Sequence, residues 1–555
     1  MKLSFINNQL SALAFLLLAS SYSFSQPVFE PLHREVYTFM ERLSQKGIVE
    51  FNDVVKPVGR DYIARKLLEA QEKSDELTAV DRDELNFLMR EFNPEVERIA
   101  KKKPDGYEFG LLRKDKADRW RFFSYHDERF TLNGDPIYGQ EIGQNDGESE
   151  SHRWNGIRLE GYLTDYLAYS FDFRDNLEKG DNIDRTKAFS RETGVILDAQ
   201  DENESIEYSE TNNYIATGWD WGSFAIGKDV MTWGYAQDGN VVLSTKAPSF
   251  PFLRLDLQPA EWISFNYFHG WLESVQVDSS RSYLLEDGRL RKVFRDKYIA
   301  SHTLTLRPFR GFRFAIGESM VYSDRLELAY LMPLNFYRLT DHLVSNRDNS
   351  AGDNAQFFVA FSSRDHVPNT HLFLDFFMDD VAVGDIFNAE KQINSFAWTI
   401  GASTTDPGID NLTISGEYSR INPFVYQHFI PSTTYTSSNY RLGHWIGNNS
   451  DSWYGKLNYR IRRGVQASIW GRRVRNGDEG TTVQQYQLPR PGFLSDDLFR
   501  YNKLTEWGIE ASYEIAHLLF LTGCFEKSNL ARIAADEDTA DLSANRFNIT
   551  LNYGR

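Results

Sequence analysis

Few residues in this chain stand in patterns that could do chemistry. His366 and His371 lie close together, but Val367-Pro368-Asn369-Thr370 between them reads as a turn. Histidines of a solvated loop fit that spacing better than a metal pair does. Asp348 to Asn354 (DNSAGDN) offers oxygen ligands yet lacks the spacing and terminal Glu of an EF-hand loop, so it reads as a polar loop. There is no G-x-S-x-G, no H-E-x-x-H and no P-loop, and the 11 histidines are scattered. No catalytic residue, metal ligand or cofactor is therefore assigned, and the chain is expected not to be an enzyme. Only a Ser-His lipase site on a barrel wall stays open. The loop Lys228 to Asn240 is different. Trp233, with Trp219 and Trp221 just before the loop, sits among Asp, Lys and Gly. Aromatic faces flanked by hydrogen-bonding groups can stack on sugar rings, and they can also pack a loop into a barrel mouth. The composition favours packing over direct glycan contact.

The elements that hold this loop alternate with period two. Phe224 and Ile226 oppose Ala225 and Gly227, and Leu253, Leu255 and Leu257 share one face. Ile263, Phe265 and Tyr267 do the same after Gln258-Pro259-Ala260. Period two is β-strand, and one apolar face per strand means one greasy side. The pattern runs from Arg119 to the C-terminus. It opens with a strand over Arg121 to Leu132, is cleanest at Leu167, Tyr169, Phe171 and Phe173, and closes at Phe547, Ile549, Leu551 and Tyr553. About 18 strands of roughly 8–12 residues result, the length a tilted membrane strand needs. Tight turns such as Thr164-Asp165 and Arg463-Gly464 alternate with long polar insertions at 176–212, 275–297 and 472–500. That asymmetry is the mark of an outer-membrane barrel. A propeller or stacked sandwiches would need shared repeats, and none is found. The fold class expected is an all-β transmembrane barrel of about 18 antiparallel strands with a small N-terminal helical bundle.

Three domains are expected. Residues 1–25 form a cleaved signal peptide: Lys2, then the apolar run Leu10 to Leu18, then Ser23-Phe24-Ser25 before the cut. Residues 26–104 form the helical bundle, with Leu32, Val36, Phe39, Met40 and Leu43 at helical spacing and Gly47 as a stop. A second helix carries Tyr62, Ile63, Leu67 and Leu68; a third follows Thr78 and is interrupted at Asn93-Pro94. The run Lys101-Lys102-Lys103-Pro104 is expected to be a linker. Residues 119–555 form the barrel.

The totals agree. Aromatics are 14% of the chain, which suits aromatic girdles. The net charge of −18 argues against nucleic acid as a partner. One cysteine, Cys524, excludes an intrachain disulfide. The Asp- and Glu-rich insertion at 200–213 is expected to coordinate cations or repel acidic glycans.

Several runs carry a family likeness. Gly227-Lys228-Asp229 to Trp233-Gly234, Leu243-Ser244 to Ala247-Pro248, and Pro251-Phe252 come first. Met332-Pro333-Leu334-Asn335-Phe336, Gly352-Asp353-Asn354, Glu417-Tyr418, Thr434-Tyr435 and Leu442-Gly443-His444 follow in order. This series resembles the Wzi family of outer-membrane capsule-assembly proteins, across essentially the whole mature chain. The resemblance implies a barrel with its helical bundle at the periplasmic mouth, no enzyme activity, and a role in holding capsular or exopolysaccharide at the surface of a Gram-negative cell. Its motif loops nominate Trp221, Lys228, Asp229, Trp233, Asp353 and Asn354 as binding residues. Implied partners are surface polysaccharide, the outer-membrane bilayer and other envelope proteins. The family also includes gliding-motility proteins of the RemB type, so an anchor for a motility machine is the alternative; a diffusion porin is a second.

Overall fold

The computed structural model describes residues 28–100, 108–115, 119–127, 130–163, 167–197, 205–341, 352–379, 395–485, 487, 490–495, 501–534 and 537–554. The expected signal peptide, the linker at 101–104 and the turn at Thr164-Asp165 lie outside the described residues, as does most of the 348–354 loop.

Four helices open the chain: α1 (Val36–Gln45), α2 (Arg60–Glu72), α3 (Ala79–Glu91) and α4 (Asn93–Ile99). In α1, Val36, Phe39, Met40 and Leu43 are buried at helical spacing against Ile63, Leu67, Leu85 and Leu88. Gly47 ends α1 in the left-handed region (φ +66°), and a Cβ there would strike the Asp365 carboxylate. Thr78 caps α3 by accepting from the Asp81 N–H at 3.1 Å. The third expected helix is two, because Pro94 starts α4.

Eighteen antiparallel strands close into a barrel. They are β1 (Phe130–Asn145), β2 (Glu148–Leu163), β3 (Leu167–Lys179), β4 (Ser205–Trp219), β5 (Gly222–Asp229), β6 (Phe250–Ala260), β7 (Ile263–Leu272), β8 (Lys297–Phe309), β9 (Phe312–Ser323), β10 (Asn354–Arg364), β11 (Thr370–Asp379), β12 (Ser395–Thr405), β13 (Leu412–Ile421), β14 (Ser450–Arg462), β15 (Val465–Asn476), β16 (Tyr501–Ala516), β17 (Leu519–Ala534) and β18 (Glu537–Tyr553). Closure is β18 on β1, with Tyr553 opposite Tyr138. A leading hairpin, Glu108–Lys114 with Trp120–His126, pairs with the first residues of β1. The strand expected at 121–132 is thus two strands. The chain reverses at Asp127, whose side chain accepts from the Phe130 N–H at 2.8 Å.

Along each strand, the outward residues are apolar and exposed: Phe224 and Ile226, Ile316, Ile400, Ile469, Ile509, Phe547, Ile549 and Leu551. The inward ones are polar or small and buried, such as Arg254, Thr399, Ser419, Arg364 and Arg460. This is a core turned inside out, and its greasy side needs lipid. Trp398, Tyr418 and Trp453 form one outward aromatic row; Phe309 stacks on Phe312 at the opposite end.

One end of the barrel carries short turns and the other long insertions. The helices dock on the short-turn end. Arg42 joins Asp81 (2.8 Å) to Asp406 (2.5 Å), Arg460 reaches Asp81 and Glu84, and His517 meets Glu91 at 2.6 Å. Asp53 holds the inward Arg364 of β10 through both oxygens (2.8 and 2.9 Å).

Candidate functional site

From the long-insertion end, the segment between β5 and β6 (230–249) drops into the lumen. Thr232-Trp233 pairs with Val55-Lys56 of the N-terminal unit, so the two inserts meet inside the barrel. Trp233 is 2% exposed and edge-on to Phe268 and Phe358. The backbone is then pinned across the lumen. Asp375 of β11 accepts from Tyr235 N (2.8 Å), and Glu417 of β13 accepts from Gln237 N and Asp238 N (2.9 and 2.6 Å). Asp238 pairs with Arg472 of β15. The segment between β13 and β14 stacks on top: the hydroxyls of Tyr426 and Tyr435 donate to the carbonyls of Val241 and Val242, both at 2.9 Å.

Above this plug lies a cleft of about 850 Å³, walled by residues 185–197, 271–275, 294–298 and 438–441. Its charged lining is mostly cationic: Arg185, Lys246, Arg295, Lys297 and Arg441, against Glu273 and Asp296. Tyr440 supplies aromatic surface; Trp271 and Tyr298 border the cleft, but their rings lie on the outer wall, against His269 and Tyr322. Tyr440 is held by donating to the Thr186 and Val195 carbonyls (2.7 and 2.9 Å). Lys246 donates to the carbonyls of Lys187, Ser190 and Glu192. Burial pulls its ammonium down to about 8, with Asp184 and Glu192 opposing the fall. Lys297 is 4% exposed and meets only neutral hydroxyls among the described residues, Thr436 Oγ1 at 3.1 Å and Thr434 Oγ1 at 3.4 Å. Holding a charge on a buried amine without a carboxylate is costly, and an anion from outside would offset that cost. The cleft therefore offers cations, hydroxyls and the Tyr440 ring together, a donor set suited to acid-bearing sugars.

The six residues nominated from the sequence do not share one surface. Trp221 sits at the short-turn end, edge-on to Trp219, beside Gly59 and Asp61 of the N-terminal unit. Lys228 and Asp229 end β5; the Asp229 side chain accepts from Val230 N. Trp233 is inside the plug. Asn354 Nδ2 donates to Thr433 O in the upper stack. Asp353 accepts from the Tyr330 hydroxyl at 2.8 Å beyond the end of β9. His366 and His371 also part company: His366 is at a turn, whereas His371 is buried against Ser362 and the Tyr235 ring. Among the described residues no cluster of three or more His, Cys, Asp or Glu could hold a metal. Of the cleft residues, Lys246 lies within a motif run already singled out. Lys297 was read as the end of a polar insertion; its inward register with Ile299 and Ser301 is the signal that would have found it.

The family model for capsule assembly protein Wzi matches residues 127–522. The chain belongs to the Wzi family. It is accordingly a closed β-barrel of the outer membrane. Among solved structures it is similar to Escherichia coli Wzi, described as an outer membrane protein involved in group 1 capsule assembly and a carbohydrate-binding β-barrel. The identity is 11% and the TM-score 0.58, over 95% of this chain and 99% of that one. Acinetobacter baumannii OccAB2 (7% identity, TM-score 0.43, 76% of this chain and 98% of that) and Pseudomonas aeruginosa OpdK (10%, 0.41, 76% and 98%) are further matches. No curated protein matches the sequence. The Wzi-family match begins at residue 127, beyond the helices that carry the docking contacts described above.

Proposed function

We propose that this protein is a non-enzymatic outer-membrane barrel that holds capsular or exopolysaccharide at the cell surface, through the cationic cleft at its long-insertion end. That end faces outward, and the helices, exported behind a cleaved signal peptide, close the periplasmic mouth. The observation that carries the reading is Lys297, a buried amine that meets only hydroxyls among the described residues, in a cleft shared with Arg441 and Tyr440. The carbohydrate binding described for Escherichia coli Wzi supports it. In this reading Trp233, Asp229 and Asn354 shape the floor under the cleft, while Trp221, Lys228 and Asp353 stand apart from it.

The test is titration of the purified protein with acidic and neutral polysaccharides. Acidic polymer is expected to bind, and Lys297→Met to weaken it about 10–100-fold, the worth of one charge-assisted hydrogen bond. Equal binding of neutral polymer, or an unchanged Lys297→Met, defeats the cleft assignment. A deletion strain with its full polysaccharide layer defeats the wider role. If that strain also loses surface spreading, the motility-anchor alternative takes its place.

A further inference from the structure

One stretch of barrel wall breaks the rule that outward residues are apolar. On β7, β8 and β9 the outward register includes Tyr267, His302 and Glu318 in a single row, since Tyr267 pairs with His302 and His302 with Glu318. His269 and Tyr322 lie toward the long-insertion end, joined at 2.7 Å. Their inward neighbours, Phe268, Ile299, Ala315 and Val321, belong to the lumen core, so these five side chains point the other way, to the lipid side. The row lies nearer the Tyr298–Tyr322 rim than the turn at Phe309, within the outer-leaflet half of the apolar belt. Bare imidazole and carboxylate there are expensive to leave in hydrocarbon.

They are not bare. After β9 the chain does not rise away from the barrel. Asp324 to Asp341 folds back over the outside of the wall. Tyr330 and Tyr337 are wholly buried against Tyr267, Met320 and Tyr322. The Tyr267 hydroxyl donates to the Tyr330 carbonyl (3.1 Å), and Glu318 accepts from the Tyr337 N–H (2.6 Å) while facing His302 at 3.4 Å. The other side of the strap is apolar and open: Leu328, Met332, Phe336 and Leu339 are about half exposed or more, and Leu334 is 83% exposed. Asp324 and Arg325 at the start of the stretch are exposed charges at the rim, where Asp324 meets Arg295 at 2.7 Å; Arg338, half exposed, pairs with Asp341 at 3.5 Å and has the reach to snorkel.

We propose that Asp324–Asp341 is an intramembrane strap: a segment embedded in the outer leaflet that seals the polar row against the wall and presents Leu328, Met332, Leu334, Phe336 and Leu339 to acyl chains. The occupant of its apolar face is lipid, because that face continues, toward the long-insertion rim, the belt formed by Leu304 on β8, Ile316 on β9 and Phe361 on β10. It also accounts for the run Met332-Pro333-Leu334-Asn335-Phe336, which the cleft leaves unused.

The test places a fluorophore on Leu334→Cys in a Cys524→Ser background, in full-length protein reconstituted into phosphatidylcholine vesicles. Brominated acyl chains are expected to quench it as they quench a label at Ile316→Cys, and aqueous iodide to leave it untouched. A label at Arg289→Cys, on an exposed loop, should behave in the opposite way. Quenching by iodide alone overturns the proposal, since the strap would then lie in water. Disulfide-linked dimers of unlabelled Leu334→Cys, formed in vesicles and shielded from brominated lipid, overturn it in favour of a second copy. If Leu334→Cys loses the heat-dependent gel shift of a folded barrel, Leu339→Cys replaces it with the same expectations.

Discussion

At the scale of single residues, the strongest bonds of this protein join inserts to wall. Asp53 is buried, which raises its carboxyl, but Arg364 and Lys56 more than reverse this and hold it at about 2. A carboxyl depressed on folding stabilises fully above the ordinary Asp range and loses that contribution as pH falls through its folded value. The docked N-terminal unit should therefore withstand mild acid and loosen progressively as pH falls from about 4 toward 2, read by protease cleavage between the helices and the barrel. Asp53→Asn leaves the Arg364 guanidinium buried without its anion and should cost about 3–5 kcal/mol, whereas pairing it with Arg364→Met should recover much of the loss. The melting temperature of the protease-resistant form checks both. None of this partnership could be read from sequence. The spacing marks Arg364 as inward on its strand, but nothing local tells that an aspartate far upstream will meet it. The same holds for Trp233, which stands out by its company of Gly, Lys and Asp while its neighbours Val55, Phe268 and Phe358 come from remote strands.

At the scale of elements, alternation was legible wherever one strand face meets lipid. It faded where both faces are wet. The insertion expected from Asn176 to Asn212 is narrower, because β3 runs on to Lys179 and β4 starts at Ser205. Those strand ends carry polar residues on both sides and leave no period-two signal. The helices were legible for the opposite reason: an apolar stripe at helical spacing, with Gly47 as stop. Thr78 does two things, accepting from Asp81 N and donating to Asn411 Oδ1 of the β12–β13 turn at 2.8 Å. Thr78→Ala should cost about 1 kcal/mol as a lost cap. Thr78→Asp keeps the cap but not the donor, so it should recover helix stability while leaving the dock to the turn weakened. Hydrogen exchange of the α3 amides separates the two effects.

At the scale of the whole molecule, inserts enter the barrel from both ends and meet at Thr232-Trp233 and Val55-Lys56, and which of them bars the lumen can be decided. Asp229 and Phe250 are directly paired across β5 and β6, so the twenty residues between them are not needed to bring these strands together. Replacing 230–249 with an Asn-Gly turn should leave the register intact, since a two-residue turn suits adjacent antiparallel strands. The shortened protein should still insert in the outer membrane and still run fast unheated and slow when boiled. What it loses is the bar across the lumen: the N–H groups of Tyr235, Gln237 and Asp238 on Asp375 and Glu417, and the Asp238–Arg472 pair. The carboxylates of Asp375 and Glu417 would then face water and draw it inward. In planar bilayers the intact protein is expected to show no steady conductance, and the shortened one a steady, cation-preferring current. A conducting intact protein would mean that the two inserts meet without sealing, and the porin reading would have to be taken up again. A shortened protein that stays silent would assign closure to the helices alone, through Arg42, Arg460 and the Asp53–Arg364 pair.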